Sequence, residues 1–96
     1  MQSYLGLEEQ ALRKAAGEVL HYVWDPMGVA GVVSARDEYE GYVEGVCSLI
    51  WSGANGEIIA EFLVRAAEEG MGILDTRQRA EAAGTKLLEW RDAITR

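Results

Sequence analysis

Apolar side chains recur every three or four residues in four separate stretches of the chain. The first set is Leu12, Ala15, Ala16, Val19, Leu20 and Val23. This spacing predicts an amphipathic helix whose apolar stripe faces a core. The other three stripes are Tyr39, Tyr42, Val43, Val46 and Ile50; Ile59, Phe62, Leu63 and Ala66; and Ala80, Ala83, Leu87, Trp90 and Ile94. No alternation of period two is long enough to predict a sheet.

Turn and capping residues separate the four stretches. Pro26 ends the first helix, because a proline disfavours helical geometry at the residue before it. Asp25, Pro26 and Gly28 occupy the first, second and fourth positions that a type I turn prefers. Ser34 is expected to cap the second helix and Asn55 the third.

These patterns predict one all-α domain over residues 1–96, a compact array of about four helices with an ordered loop after the first helix. Ninety-six residues leave room for a single core. A composition of 49% hydrophobic and 26% charged residues is typical of a globular domain.

The charge of the chain is acidic and unevenly spread. The formal net charge is −7, and residues 23–75 hold ten acidic residues against two basic ones, whereas residues 76–96 hold three against five. An acidic field repels phosphate backbones and anionic lipids, so neither direct nucleic-acid binding nor membrane-surface binding is expected. A basic protein partner is favoured, although excess acid also keeps a small protein soluble.

Cysteine content and hydropathy bear on the compartment. The single cysteine, Cys47, excludes an internal disulfide and a multi-cysteine zinc site. Residues 1–10 lack the basic and apolar regions of a signal peptide, and no apolar run is long enough to span a membrane. We therefore expect a cytoplasmic protein.

Several short runs carry a resemblance to a known group of proteins. The runs are 20–29 (LHYVWDPMGV), 35–43 (ARDEYEGYV), 53–54 (GA), 57–60 (EIIA) and 71–73 (MGI). They resemble small bacterial helical proteins that share a Trp-Asp-Pro-x-Gly turn and an acidic-aromatic helix start. The resemblance implies a helical fold and a bacterial cytoplasm but no catalytic residue. Some small acidic helical proteins of this general kind act as toxin-immunity proteins.

Candidate catalytic groups are few. Glu18 and His21 have the Glu-x-x-His spacing of di-iron bundles, but a chain with one histidine cannot complete that site. His21 is instead expected to be a lone surface histidine. Cys47 is the one possible thiol nucleophile, and its place beside the stripe of the second helix predicts a covered, unreactive side chain. We therefore expect no enzymatic activity, no metal and no cofactor.

Asp25 and the three tryptophans are expected to have structural roles. Asp25 is expected to accept hydrogen bonds from backbone N–H groups of the turn that follows it, and the alternative is a ligand-binding acid. Trp24, Trp51 and Trp90 each lie near the end of a predicted helix, where anchoring in the core is the default expectation.

One flank of the second helix is the candidate binding site. Asp37, Glu40, Glu44, Ser48 and Trp51 follow a helical repeat, and three carboxylates running toward a tryptophan are typical of an interface edge. The negative electrostatic field of this flank is expected to be extended on the third helix by Glu57, Glu61 and Glu68. Beside the flank, small residues form a possible groove at Gly41, Gly45 and Ser52. The alternative is a solvated face with an internal helix packed into that groove.

The residues thus favour a non-enzymatic, acidic protein-binding module. One form of it is an inhibitor, similar to an immunity protein or antitoxin, that occludes a basic partner such as a nuclease. The alternative is a homo-oligomeric structural or adaptor protein, for example a homodimer, that uses the same groove for self-association. A small enzyme built on Glu18, His21 and Asp25 is the least favoured hypothesis.

Overall fold

The computed structural model describes residues 4–32 and 37–95. Within them the regular structure is entirely helical, as predicted. The four α-helices are α1 (Tyr4–Val19), α2 (Glu40–Trp51), α3 (Gly56–Arg65) and α4 (Arg77–Ile94). A π-helical turn at Leu20–Trp24 continues α1, and another at Ala66–Gly70 continues α3. None of the helices in the described ranges is both long and apolar enough to cross a membrane.

Neighbouring helices run antiparallel. Along α1 and α2, Arg13 pairs with Glu44, whereas Gly17 near the end of α1 faces Glu40 at the start of α2. The same reversal relates α3 and α4, since Gly84 meets Gly56 whereas Arg77, earlier in α4, pairs with Glu61, later in α3. The helix α4 also packs against the π-helical turn after α1. The result is an up-and-down array closed by contacts between its first and last helices.

The core is built from the predicted stripes. The largest fully buried side chains are Trp24, Leu12, Leu20, Ile50, Ile59, Leu63, Leu87 and Val46. Trp24 packs against the rings of Tyr39 and Tyr42, with centroids 5.2 and 5.6 Å away. The expectation of core anchoring is wrong for Trp51 and Trp90, which are 38% and 45% exposed. Both lie near the C-terminal ends of their helices, with much of the ring facing solvent.

The second helix begins later than the sequence indicates. Asp37 lies in a turn before α2, so it is not on the helical flank with Glu40. Tyr39, the residue before α2, has φ −107° and ψ 8°. Its hydroxyl is bonded to the first loop, which holds it outside the helix. Ser34, the predicted cap, is outside the described residues.

The third helix begins as predicted. Its cap is Asn55, whose side-chain oxygen accepts a hydrogen bond of 2.9 Å from the backbone N–H of Ile58. This contact satisfies one of the N–H groups that a helix start leaves without an intrahelical partner.

The small-residue groove on α2 is partly filled from inside the protein. A Cβ atom added at Gly45 would lie 2.7 Å from the ring of Phe62 on α3, so the glycine makes room for that ring. At Gly41 no atom of the described part of the chain lies within 4 Å of the same added atom. Ser52 is exposed and donates its hydroxyl to the carbonyl of Leu49. The internal-packing interpretation therefore holds at Gly45.

Candidate functional site

Asp25 organises the loop after α1. Its two carboxylate oxygens accept hydrogen bonds from the backbone N–H groups of Val29 and Ala30, at 2.8 and 3.0 Å. The N–H of Gly28 donates to the Asp25 carbonyl at 3.1 Å, which closes the predicted turn. The expectation that Asp25 bonds the following backbone is confirmed.

Distant side chains complete this arrangement. The hydroxyl of Tyr39 donates to Asp25 Oδ1 at 2.7 Å and accepts the backbone N–H of Met27 at 3.0 Å. Arg79 of α4 donates to the Asp25 carbonyl oxygen. Because the carboxylate is buried and already accepts three hydrogen bonds, it belongs to the fold rather than to a ligand site.

The pKa values of Asp25 and Tyr39 shift in opposite directions. Burial alone would raise the pKa of Asp25, but the hydrogen bonds from Tyr39, Val29 and Ala30 and the charge of Arg79 together lower it. Burial, followed by the hydrogen bond to Asp25, raises the pKa of Tyr39 to about 12. The carboxylate is therefore ionised and the phenol protonated at neutral pH.

His21 is buried, so the prediction of a surface histidine is wrong. Its exposed fraction is 2%. The loop after α1 folds back over the ring, and Nε2 lies 3.2 Å from the carbonyl oxygen of Ala30. The other ring nitrogen, Nδ1, is buried and has no hydrogen-bond partner among residues 4–32 and 37–95.

A groove runs between α1 and α2, which we call the α1–α2 groove. One end is a cleft of about 390 Å³ with His21 in its wall, and the other is a smaller hollow of about 220 Å³ beside Trp51. Arg13 lines both. The groove is lined by Glu9, Gln10, Arg13, Lys14, Gly17, Glu18, His21, Asp37, Glu40, Glu44, Cys47, Ser48 and Trp51.

The carboxylates of this groove differ in their pairing. Glu44 forms an ion pair with Arg13, with nitrogen–oxygen distances of 2.7 and 3.4 Å. Both side chains are largely exposed, so the pair adds little stability but cancels much of the local charge. Asp37 and Glu40 form no ion pair with the described residues. Asp37 and Glu40 therefore contribute negative charge at the His21 end, whereas the charge of Glu44 at the Trp51 end is offset by Arg13.

The predicted carboxylates of the third helix lie elsewhere. Glu57 and Glu61 line a second groove, between α3 and α4, which shares no lining residue with the first. Glu61 is paired with Arg77 at 2.8 Å and with Arg65 at 3.9 Å. The hydrogen bond from Arg77 lowers the pKa of Glu61. Glu68 is exposed in the π-helical turn after α3. The seven predicted residues thus do not form one continuous site.

The groove is also lined by basic side chains that were not predicted from the sequence to belong to it. Arg13 and Lys14 belong to the polar flank of α1 on which Gln10, Glu18 and His21 recur. That recurrence is visible in the sequence as a second stripe, on the flank opposite the apolar one. It indicates a shared face but not that α2 lies against it.

The metal-binding and nucleophilic side chains considered in the sequence are not grouped together among the described residues. Within residues 4–32 and 37–95, no three His, Cys, Asp or Glu side chains are grouped so that they could hold a metal ion. Cys47 lines the Trp51 end of the groove, whereas His21 lines the other end, so they do not form a nucleophile–base pair. Burial raises the pKa of the Cys47 thiol, which disfavours the reactive thiolate.

Cys47 is expected to react slowly with a thiol reagent in the native protein and rapidly in denaturant. Its side chain is buried at 6% exposure, and its raised pKa leaves little thiolate at neutral pH. Absorbance of the released chromophore, followed with and without urea, measures both rates. The engineered Ser48→Cys side chain, exposed on the same helix, provides the fast reference in a Cys47→Ala background. Native labelling of Cys47 as fast as that reference would contradict the prediction.

Comparison with protein-family models, with curated proteins and with solved structures gives no match to this chain. The resemblance to proteins with a Trp-Asp-Pro-x-Gly turn therefore stays an expectation.

Proposed function

We propose that this chain is a non-enzymatic protein-binding module and that its α1–α2 groove binds a basic protein. The observation that carries the proposal is the pairing of two features in one groove. Trp51 is 38% exposed at one end, and the carboxylates of Asp37 and Glu40 lie at the other without a partner among the described residues.

These features have separable roles in binding. A partly exposed tryptophan offers a large, rigid apolar surface at low entropic cost, which is why tryptophan is frequent among residues that dominate binding energy. Exposed carboxylates attract a basic partner over distance and increase the association rate more than the affinity. Glu57, Glu61 and Glu68 then contribute through the long-range field rather than through contact, because they lie outside the groove.

An inhibitor of a toxin or nuclease is the form of binding that we favour. A nuclease presents a cationic surface to its phosphate substrate, and an acidic module with net charge −7 is attracted to such a surface. A module of this kind acts by covering the partner's site and needs no chemistry of its own. That agrees with the buried thiol and the fully bonded carboxylate of Asp25.

The partner is identified by photo-crosslinking from the groove. A benzophenone amino acid at Ser48, which is exposed beside Trp51, is expected to capture a basic protein from extract of the native cell. The same probe at Thr85, exposed in the α3–α4 groove, is the matched control and is expected not to capture it. Capture of the same protein from both positions, or of no basic protein from Ser48, would contradict the proposed groove. Capture of a second copy of this chain alone would favour the homo-oligomer.

Charge and anchor variants are expected to act on different rates with the captured partner. Glu40→Lys should slow association and flatten its salt dependence, because it reverses an unpaired charge in the groove. Trp51→Ala should instead speed dissociation and cost about 2 kcal/mol of binding free energy. Surface plasmon resonance over a range of salt concentrations measures both.

Matched variants outside the groove control for nonspecific effects. Glu57→Lys makes the same charge reversal in the α3–α4 groove, and Trp90→Ala removes a tryptophan of similar exposure from α4. Both are expected to retain the parent dissociation rate, and Glu57→Lys should slow association less than Glu40→Lys. If Trp90→Ala weakens binding as much as Trp51→Ala, the α1–α2 groove is not the binding site.

A further inference from the structure

We infer that the outward-facing side of α4 binds the same side of a second copy of this chain, with the two helices antiparallel. This surface, which we call the α4 outer face, consists of the exposed residues Ala82, Lys86, Glu89 and Ala93, with Trp90 at its edge. The inference goes beyond the proposed function, because these residues share no position with the lining of the α1–α2 groove. It also differs from self-association through the small residues of α2.

Trp90 gives the α4 outer face an apolar surface that faces solvent. The ring is 45% exposed, and it lines an open hollow of about 260 Å³ together with Lys86, Glu89 and Ala93. The buried residues of α4 are Ala80, Ala83, Gly84 and Leu87. A tryptophan is among the largest apolar side chains, so association that removes this ring from water is favourable.

The spacing of the face makes it self-complementary. From Ala82 through Lys86 and Glu89 to Ala93 the intervals are four, three and four positions, the repeat with which one helix packs along another. A two-fold axis halfway between Lys86 and Glu89 places each of them opposite the other in the second copy. The same axis places Ala82 opposite Ala93, and these small side chains let the two backbones approach. The face therefore fits itself under the symmetry of an isologous dimer.

Charge favours the antiparallel arrangement over a parallel one. Within one copy, Lys86 Nζ lies 3.1 Å from Glu89 Oε1, and the two side chains are 52% and 60% exposed. Antiparallel faces bring each ammonium group to a carboxylate of the second copy, whereas parallel helices in register would set lysine against lysine. Trp90 follows Lys86 by four positions and lies on the same flank, where its ring meets the lysine of the second copy.

The charge of the whole chain opposes this contact less than it opposes others. Two copies of net charge −7 repel each other, and ten of the acidic residues lie within residues 23–75. Residues 76–96 hold five basic residues against three acidic ones, and the two charges of the α4 outer face cancel. A second acidic copy therefore meets less repulsion at α4 than at the acidic helices.

Complementary charge reversals test the pairing. Sedimentation equilibrium at about 0.15 M salt, where long-range repulsion is screened, is expected to show a monomer–dimer equilibrium for the parent. Lys86→Glu and Glu89→Lys should each weaken self-association at least about tenfold, because like charges then face each other. An equimolar mixture of the two variants should form a heterodimer, since two acidic groups then meet two basic ones.

Matched variants outside the face control for the change in net charge. Lys14→Glu on α1 and Glu57→Lys in the α3–α4 groove make the same reversals elsewhere, and each should alter the equilibrium far less. A parent that stays monomeric at millimolar concentration, a charge reversal on α4 that leaves the dimer intact, or a mixture that stays monomeric would overturn the inference.

Disulfide formation tests the register of the two helices. In a Cys47→Ala background, Ala82→Cys mixed with Ala93→Cys is expected to form a mixed disulfide on mild oxidation, because the antiparallel register places these positions opposite each other. Ala82→Cys alone should form little dimer, since its two thiols lie about 16 Å apart along the axis, beyond the reach of a disulfide. Cross-linking of Ala82→Cys alone as efficient as that of the mixture would rule out the antiparallel register.

The two exposed tryptophans separate this inference from the proposed function. Trp90→Ala is expected to weaken the dimer and retain the basic partner, whereas Trp51→Ala is expected to keep the dimer and lose the partner. Both variants are measured by sedimentation equilibrium and by surface plasmon resonance. If Trp90→Ala leaves the monomer–dimer equilibrium unchanged, the α4 outer face is not the dimer contact, and the α1–α2 groove is unaffected by that result.

Discussion

Replacing Asp25 with alanine is expected to lower the free energy of unfolding by about 4 kcal/mol. The buried carboxylate accepts hydrogen bonds from Val29, Ala30 and Tyr39, and bonds to a charged acceptor are among the stronger ones. Asp25 also has φ 33°, in the left-handed region, which alanine adopts less readily than aspartate does. Urea denaturation followed by circular dichroism measures the loss.

Conservative variants divide that loss into its parts. Asp25→Asn keeps one acceptor oxygen and the tolerance for left-handed geometry, so it should lose about half as much stability. Tyr39→Phe removes a single hydroxyl and is expected to cost about 2 kcal/mol, because the N–H of Met27 also loses its acceptor. An unchanged denaturation midpoint in Asp25→Ala would show that the carboxylate does not hold the loop.

The contribution of Asp25 is also expected to depend on pH. Its pKa is lowered in the folded state, so the ionised form is favoured by folding. The stabilisation is fully present above the unfolded-state pKa of about 3.9 and is lost as the pH falls through the lower folded value. Consequently the stability difference between the parent and Asp25→Asn should be constant near neutrality and shrink in strong acid. A difference that grows on acidification would contradict the assignment.

Replacing Gly84 with leucine is expected to cost about 3 kcal/mol of stability. Gly84 is buried in α4, and a Cβ atom there would lie 3.2 Å from the backbone carbonyl oxygen of Gly56. Because the obstacle is backbone, a change of side-chain rotamer cannot relieve it, and α3 and α4 must move apart. Thermal unfolding and urea denaturation both report the effect.

Gly41 supplies the matched control for that substitution. It is the second residue of α2, and none of the described residues lies within 4 Å of a Cβ atom added there. Gly41→Leu gains part of the same helix propensity without a clash, so it should stabilise the protein by up to about 0.5 kcal/mol. If both leucine variants change stability in the same direction, the close approach of α3 and α4 is not the cause of the effect at Gly84.

The helices and the first turn could be predicted because their causes are local. The apolar residues of α1 and α2 repeat at helical spacing, and Asp25, Pro26 and Gly28 determine the turn through their own backbone preferences. The cap at Asn55 is local too, since its acceptor reaches a backbone N–H three residues away.

The features that were missed depend on contacts between distant segments. A regular α-helix places His21 on the flank opposite the apolar stripe, and only the returning loop with Ala30 buries it. The π-helical turn at Leu20–Trp24 has more residues per turn than an α-helix, so each residue turns through a smaller angle about the axis. Trp24 therefore lies on the side of the helix that faces the core. The late start of α2 follows from the bond between Tyr39 and Asp25, which lie 14 residues apart.

The candidate site was only partly predictable because charge pairing is a tertiary property. Counting carboxylates placed Glu44 and Glu61 in one acidic field, yet Arg13 pairs with the first and Arg77 with the second. Trp51 and Glu40 do share a groove, since helical periodicity alone puts them on one flank of α2. Which helix forms the opposite wall is not encoded in that periodicity.

The bonds of Asp25 also set an order of events during folding. Its contacts with Val29 and Ala30 span four and five positions, so they close a short loop at little entropic cost. The contact with Tyr39 spans 14 positions, and the contact with Arg79 spans 54. We therefore expect the turn to form as the first helix ends and the link to α4 to close only when the whole array assembles. One residue thus takes part in both the earliest and the latest steps of folding.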